Sequence, residues 1–590
     1  MTLRRFLPLF VALLLAGSVA AGCSTSRETA RPNPAPPQTE DAPPADTQEP
    51  VPSDPPGEED AEPAPNGTKD ATAPGRAPTD WQHASAEDGG SSLGIGTEQA
   101  YTFLEGRAPQ DTVVVAVLDS GVDPAHEDLD DVLWTNADEV PGNDRDDDQN
   151  GYVDDVHGWN FLGSPDGENV EHDTFEVTRL YVELRAPYEG ADPDTLTAAE
   201  RDTYRRYQRI KADFQKQKQK FEQRYGQVQQ INSFLEQARP LLEGALGTGA
   251  PITRERLGNL GAGAGSRARQ AARLVDNLLQ QTGTVDLATL AEDLEKAEEQ
   301  LHTRVEYNFN TDYNPRPIVG DDYSDATERI YGNPDVKGPD AGHGTGVASL
   351  IAAERGNDLG IRGVADAVKI MPVRAVPGGD ERDKDVANAI RYATANGADI
   401  INMSFGKAYS PRKEVVDAAV QQADSAGVLM VHAAGNDGTD VDTTDSYPSS
   451  YYADGSGAAE NWVEVGASTA EGDSTLAASF SNYGDERVDL FAPGASMQVA
   501  RPGDAYGRAQ GTSFAAPVVS GVAALVMAYY PSLSANQVKK ALLTSTTDYA
   551  GTMVKRPGGD EMVRFGTLSR TGGVVNAHAA LRAAERRAER

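Results

Sequence analysis

Cysteine is almost missing from this chain: Cys23 stands alone among 590 residues, so no intrachain disulfide can form in any compartment. Lysine is scarce as well, supplying 14 of 53 basic residues against 91 Asp and Glu, for a formal net charge of −38. Such a chain lacks the basic surface that phosphate neutralisation needs, which argues against nucleic acid as a partner. The N-terminal part has little apolar length. Its apolar run, residues 6–16, is too short for a transmembrane helix and is not followed directly by a second one. Core material, by contrast, is plentiful. At 38% hydrophobic the chain is not disordered as a whole, and its length allows several domains or one elaborated α/β domain. Abundant carboxylates with few lysines also suit saline surroundings.

Arg4 and Arg5 precede the 6–16 run, and small residues continue from it to Gly22. A positive end, a short apolar centre and a small-residue processing site make an export signal. Ala20-Ala21-Gly22-Cys23 resembles the bacterial lipobox, whose cleavage leaves the cysteine lipidated at a new N-terminus, although Ala20 stands where Leu is usual. Ser24 at the next position implies outer-membrane sorting in a Gram-negative cell. The expectation is a signal peptide over 1–22 and a lipid-anchored, exported chain whose membrane partner is met through Cys23. Residues 31–80 hold 14 prolines among Ala, Asp, Glu and Thr, too little apolar surface to offset ordering entropy. With Cys23 they make 23–80 a mobile tether reaching on the order of 100 Å at about 3.1 Å per residue. The leader contributes +2 and residues 24–80 contribute −8, which leaves −32 on residues 81–590. The acidity therefore belongs to the folded part.

Three separated blocks carry chemistry. The β-branched run of 111–118 reads as a parallel strand buried on both faces and ends in Asp119-Ser120-Gly121. That ending puts a carboxylate at the strand's C-terminal edge, where open α/β sheets carry their sites. Gly342-His343-Gly344-Thr345-Gly346 opens a helix close against the sheet, with His343 in its first turn. Gly511-Thr512-Ser513-Phe514-Ala515-Ala516-Pro517 opens an all-apolar helix, which places Ser513 near the positive end of the helix dipole. Pro517 is accommodated because first-turn amides have no intrahelical partner.

The order Asp119, His343, Ser513 matches a subtilisin-type triad, and the three blocks resemble the signatures of the subtilase family of serine endopeptidases over about 95–172 and 305–582. The resemblance implies a three-layer α/β fold with a mostly parallel central sheet and helices on both faces. It implies that His343 is the general base, Asp119 its orienting carboxylate and Ser513 the nucleophile. Ser404, Phe405 and Gly406 match the strand that binds the substrate backbone and walls the primary specificity pocket. Ala433, Ala434 and Gly435 match the opposite wall, and Asn436 the side-chain donor of an oxyanion hole shared with the Ser513 N–H. Ser446 falls at the pocket floor, where a small residue implies a large, apolar P1 side chain, with Asp445 nearby. The acidic sedolisin-like branch would carry Glu for His343 and Asp for Asn436, and neither occurs. The chain departs from the common pattern in Gly346, where many members have a second His, in Ala348-Ser349, and in having no compact pro-domain ahead of the blocks. Polypeptides are the implied substrates. The rival reading is a catalytically silent surface module that binds peptides or a partner through its insertion.

Calcium is the implied cofactor, as a structural ion. Asn357 lies in a stretch resembling the family's strong calcium loop, and Asp128 matches its carboxylate ligand. Independently, oxygen residues alternate at Asp144, Asp146, Asp148 and Asn150 before Gly151, a spacing like an EF-hand loop, although its twelfth position is His157 instead of Glu. Between the first two blocks, Tyr207, Ile210, Phe214, Phe221, Val228, Ile231, Leu235 and Leu242 keep an a/d rhythm that resumes at Leu287, Leu290, Leu294, Ala297 and Leu301. This predicts an antiparallel helical hairpin over 174–304, set between catalytic parts at 81–173 and 305–590. Its position between two blocks makes it a candidate to flank the cleft. The oligomeric state has no signal in the sequence.

Overall fold

The computed structural model describes residues 80–85, 93–261 and 263–590. The export signal, Cys23 and the Pro-rich tether lie outside the described residues. The described chain divides into two compact units, one of Ala191–Asn310 and one of 80–190 with Thr311–Arg590.

The larger unit is built on strands. In chain order they are β1 (Val113–Asp119), β2 (Trp159–Asn160), β3 (Val368–Arg374), β4 (Ile400–Met403), β5 (Leu429–Ala433), β6 (Trp462–Ser468) and β7 (Leu490–Pro493). Then come β8 (Met497–Arg501), β9 (Ala505–Ala509), β10 (Thr547–Asp548), β11 (Met553–Lys555), β12 (Met562–Arg564) and β13 (Gly573–Val574). Nine of them form one sheet in the order β10-β13-β7-β6-β5-β4-β1-β3-β2, with β8–β9 and β11–β12 as separate hairpins. Every pair in the large sheet is parallel except β10 with β13.

The side-chain alternation of β1 shows why its apolar run is unbroken. Val113, Val115 and Val117 join the core that includes the helices Gly342–Ala352 and Thr512–Tyr529. Ala116 and Leu118 join the core that includes Asp383–Ala395 and Lys413–Ser425. A strand covered by helices on both faces needs apolar residues at every position. This is the expected three-layer α/β arrangement. The Thr512–Tyr529 helix is long and apolar enough to cross a membrane, yet it is buried against the sheet. β1 lies between β4 and β3, so the winding of the chain reverses beside Asp119, the place where such sheets hold ligands.

The smaller unit holds the two expected antiparallel arms, Ala198–Leu246 and Leu287–Thr303, with a third helix, Ser266–Thr282, packed against both. The pairing runs in opposite directions. Asn232 Nδ2 reaches Glu298, while Tyr225 and His302 stack at 5.8 Å and Phe214 and Phe309 at 6.1 Å. Thr197 and Glu200 form a reciprocal cap on the first arm. The third helix, which the expected hairpin did not include, keeps a regular helical spacing through Ala268, Ala271, Ala272, Val275, Leu278 and Leu279, with alanines making up the first half of its buried face. The compact unit begins at 191, and the preceding helix Glu176–Tyr188 belongs with the sheet.

Candidate active site

Asp119 closes β1 and is 2% exposed. Its Oδ1 accepts from the Ser120 N–H at 2.8 Å and lies 2.7 Å from His343 Nδ1. His343 reaches it because the Gly342–Ala352 helix starts almost in contact with the β1 edge. A Cβ on Gly344 would sit 2.1 Å from the Gly121 carbonyl oxygen, so only glycine fits. On the other side of Asp119 in register lies Arg374, itself 1% exposed. Its Nε donates to the Ser120 carbonyl at 2.8 Å and its Nη1 to Asn160 Oδ1 at 3.0 Å. Burial pulls the Arg374 pKa down to about 10.

Ser513 is 3% exposed at the start of its helix, and the ring of the next residue, Phe514, lies 5.2 Å from that of His343. Pro517 is the sixth residue of that helix, beyond the first turn in which it was expected. Its missing N–H is the one that would have bonded the Ser513 carbonyl. Ser404 Oγ takes over that role, donating to the Ser513 carbonyl at 2.8 Å. Ser404 is held in turn by Asn402 Nδ2 at 2.9 Å, and Asn402 Oδ1 accepts from Ser520 Oγ at 2.9 Å. Asn402 and Ser520 were missed in the sequence, although each is a polar residue inside an apolar segment, and such groups stay buried only when partnered.

Asn436 is oriented just as closely. Its Oδ1 accepts from Thr512 N–H at 2.8 Å and Thr512 Oγ1–H at 3.0 Å, which turns its NH₂ group away from that contact. Gly435, at φ 100°, accepts Asn482 N–H on its carbonyl at 2.9 Å, and its own N–H donates to Thr512 Oγ1 at 3.0 Å. A Cβ at 435 would meet Asn482 Nδ2 at 2.4 Å.

The residues expected to wall a substrate pocket are brought together. Ser404, Phe405 and Gly406 come directly after β4, while Ala433, Ala434 and Gly435 run through the end of the neighbouring β5. A Cβ on Gly406 would lie 3.2 Å from the Tyr447 carbonyl oxygen and 3.8 Å from Ser446 Oγ, which puts Ser446 beside the wall. Lys407 and Tyr447 exchange backbone hydrogen bonds at 2.9 and 3.0 Å. Behind this wall the protein is charged. Lys407 Nζ meets Glu176 at 3.0 Å and Asp383 at 2.8 Å, Arg179 meets Glu176 at 2.7 Å, and Arg382 meets Asp173 at 2.6 Å. Burial alone would raise the Glu176 pKa, yet the Arg179 and Lys407 charges hold it at about 2. Burial pushes nearby Glu381 up to about 7. His432, fully buried on β5, reaches the Phe405 carbonyl with Nε2 and Glu464 with Nδ1, both at 2.9 Å. Burial lowers its pKa, but the Glu464 charge and hydrogen bond outweigh that and the net shift is upward.

Two departures from the common pattern find their reason in packing. A Cβ at Gly346 would meet the Phe514 ring at 3.2 Å and Val499 at 3.3 Å, so a side chain there requires those two neighbours to give by a few tenths of an ångström. Ser349 Oγ donates to the Gly346 carbonyl at 2.7 Å and accepts the Ala500 N–H at 3.1 Å, tying the β8–β9 hairpin to the His343 helix.

Of the expected calcium ligands, Asp128 and Asn357 do meet, but they serve each other. Asp128 Oδ1 accepts from Asn357 Nδ2 at 2.7 Å and its Oδ2 from Ile361 N–H at 3.1 Å, while Asn357 Oδ1 accepts from Leu359 N–H at 3.0 Å. In the acidic loop, Asp146 accepts from the Asn150 and Gly151 N–H groups. Asp148 instead converges with Glu139 and Asp155, a group to which Asp144 and Asp146 do not belong.

With this geometry in place the comparisons with known proteins are specific. The profile of the subtilase family matches residues 110–560, and the chain belongs to that family. Subtilisin NAT of Bacillus subtilis subsp. natto is 38% identical over 213 residues, 35% of this chain and 51% of that protein. Subtilisin of Bacillus pumilus is 38% identical over 213 residues, covering 35% of this chain and 71% of its own. Subtilisin BL of Lederbergia lenta is 36% identical over 243 residues, or 41% and 78%. The chain spans about half the length of the first of these relatives. Among solved structures, a protease of Pseudoalteromonas arctica PAMC 21717 matches over 86% of this chain and 99% of its own at 19% identity and a TM-score of 0.43, a likeness too slight to carry an argument.

Proposed function

We propose that this chain is an exported serine endopeptidase, anchored by lipid at Cys23, that cleaves polypeptides through Asp119, His343 and Ser513. The observation that carries the reading is the 2.7 Å contact between Asp119 Oδ1 and His343 Nδ1, at the switch point of a subtilase-family sheet. Asp119 holds the tautomer in which Nδ1 keeps its proton, so Nε2 takes the Ser513 Oγ proton as the alkoxide attacks the scissile carbonyl. The imidazolium then returns that proton to the leaving amine, and water hydrolyses the acyl-enzyme on Ser513. Asn436 NH₂ and the Ser513 N–H donate to the oxyanion. Ser404 supports this step indirectly, by fixing the carbonyl of the nucleophile's own residue. The small Ser446 beside Gly406 favours a large apolar P1 side chain. Calcium enters the reading as a structural ion, with no part in the proton transfers.

A fluorophosphonate probe tests the chemistry. The full chain takes up one label and the Ser513→Ala variant none; labelling that survives Ser513→Ala, or its absence from the parent, defeats the protease reading. Radiolabelled palmitate tests the anchor, since Cys23→Ala abolishes incorporation if Cys23 carries the lipid.

A further inference from the structure

Between β1 and β2 the chain folds three carboxylates against one another. Glu139, Asp148 and Asp155 each bring an oxygen within 4.8 Å of the others. Asp155 is 0% exposed and Glu139 is 6% exposed. Asn136 Nδ2 donates to Asp148 and Asp155, both at 3.0 Å, and Asn150 Nδ2 to the same pair at 3.0 and 3.1 Å. Tyr392 O–H donates to Asp155 at 2.7 Å. Glu139 Oε1 accepts the N–H groups of Asp147 and Asp148 at 2.8 and 3.3 Å. Glu139 Oε2 is buried and accepts nothing.

Every one of these donors is neutral: two carboxamides, a phenol and backbone N–H groups, with no Lys or Arg among them. Neutral donors do not repay the burial of converging like charges, and an orphaned carboxylate oxygen adds its own desolvation cost. The arrangement calls for positive charge. The donor set is all oxygen, irregular and rich in charge, which suits a hard cation that tolerates six to eight ligands of mixed kind.

We propose that Glu139, Asp148 and Asp155 hold a calcium ion, a site that draws two of its three carboxylates from outside the EF-hand-like spacing. It rests on the reading of calcium as a structural ion, and it is independent of the catalytic one. Its place in the fold gives it a task. Asp155 stands four residues before β2, whose Asn160 registers opposite Arg374, and Arg374 registers opposite Asp119. Tyr392, the donor to Asp155, lies on the Asp383–Ala395 helix and packs against Tyr152 at 5.0 Å. The ion would brace the edge strand next to the two that position Asp119.

The test uses the full chain carrying Ser513→Ala, which removes autolysis and makes the outcome independent of activity. After chelation with EGTA, calcium is titrated by calorimetry, and terbium luminescence sensitised by Tyr392 is read in parallel. Glu139→Gln and Asp155→Asn should each lose one calcium per chain, or weaken that site by more than the roughly 10- to 100-fold that loss of an outer partner costs. Tyrosine-sensitised terbium emission should fall with them, and chelation should lower the melting temperature of the parent by more than that of Glu139→Gln. Asp128→Asn should leave this site unchanged. If Glu139→Gln keeps the parent's far-ultraviolet spectrum and binds the same number of calcium ions with affinity within twofold, this site is overturned and the broader calcium reading stands. A parent that binds no calcium overturns both.

Discussion

Beneath Ser513 the supporting groups are neutral, and behind the 404–406 wall they are charged. Ser520, Asn402 and Ser404 pass hydrogen bonds to the Ser513 carbonyl, and Thr512 holds the Asn436 carboxamide. The wall is backed by Lys407 with Glu176 and Asp383, by Arg179 and Arg382 on Asp173 and Glu176, and by His432 on Glu464. In the proposed reaction a neutral chain fixes an atom without adding a field that competes with the developing oxyanion. A buried ion network joins segments far apart in sequence, and losing one partner strands another charge. The contrast predicts that damage beneath Ser513 shows in turnover, while damage behind the wall shows in stability first.

The hardest blow to the charged side is Lys407→Met, which leaves Glu176 with Arg179 alone. It should cost about 3–5 kcal/mol, as breaking a buried pair does, in urea unfolding of the Ser513→Ala background. A loss under about 1 kcal/mol would erase the contrast. The same network sets an acid limit. Glu176 is held at about 2 against an ordinary 4.5, so its contribution is complete above pH 4.5 and drains away as pH falls toward 2. Unfolding midpoints measured down that range should fall more gently in Glu176→Gln than in the parent.

On the neutral side, Asn436→Ala should lower kcat by about 10²–10³, the magnitude known for the corresponding donor in subtilisin itself, with little change in stability. Ser404→Ala leaves the Ser513 carbonyl without its donor and should cost about 1 kcal/mol, a several-fold fall in kcat at steady KM. His432→Ala falls between the two classes: it strands the Glu464 carboxylate and so costs stability, and because that ion pair supports a backbone wall it should also have the smallest kinetic effect. We expect a few-fold rise in KM for large apolar P1 substrates. The His432 pKa is raised, so its contribution is complete below its ordinary 6.5 and lost as pH climbs past the raised value. KM should therefore rise at alkaline pH in the parent and stay flat in His432→Ala.

Much of the site was legible because its parts are short contiguous words. Asp119-Ser120-Gly121, Gly342-His343-Gly344 and Gly511-Thr512-Ser513 each encode a side chain together with the local backbone that presents it. Gly344 is the clearest case, since the same residue that marks the motif lets the helix touch the β1 edge. The two arms of the insertion were legible from bulky residues at helical spacing, while the helix between them keeps the same spacing but was passed over, because the first half of its buried face is alanine. Pro517 could be seen but not placed, because the partner that compensates it, Ser404, is 109 residues away from the Ser513 carbonyl. The acidic loop was visible, and its spacing pointed to alternate oxygens within one turn. Folding instead brought in Glu139 and Asp155 from either side.

The sequence by itself determined the layered fold, the family and the chain order of Asp119, His343 and Ser513, because strand alternation, helix starts and glycine-dependent turns are properties of neighbouring residues. Only the tertiary structure decided which carboxylates converge around Glu139, which polar residues in apolar segments become partners, and that Lys407 and His432 back the wall. Those outcomes depend on contacts between residues tens to hundreds of positions apart. Burial then makes each such polar or charged group depend on the single partner that the fold supplies.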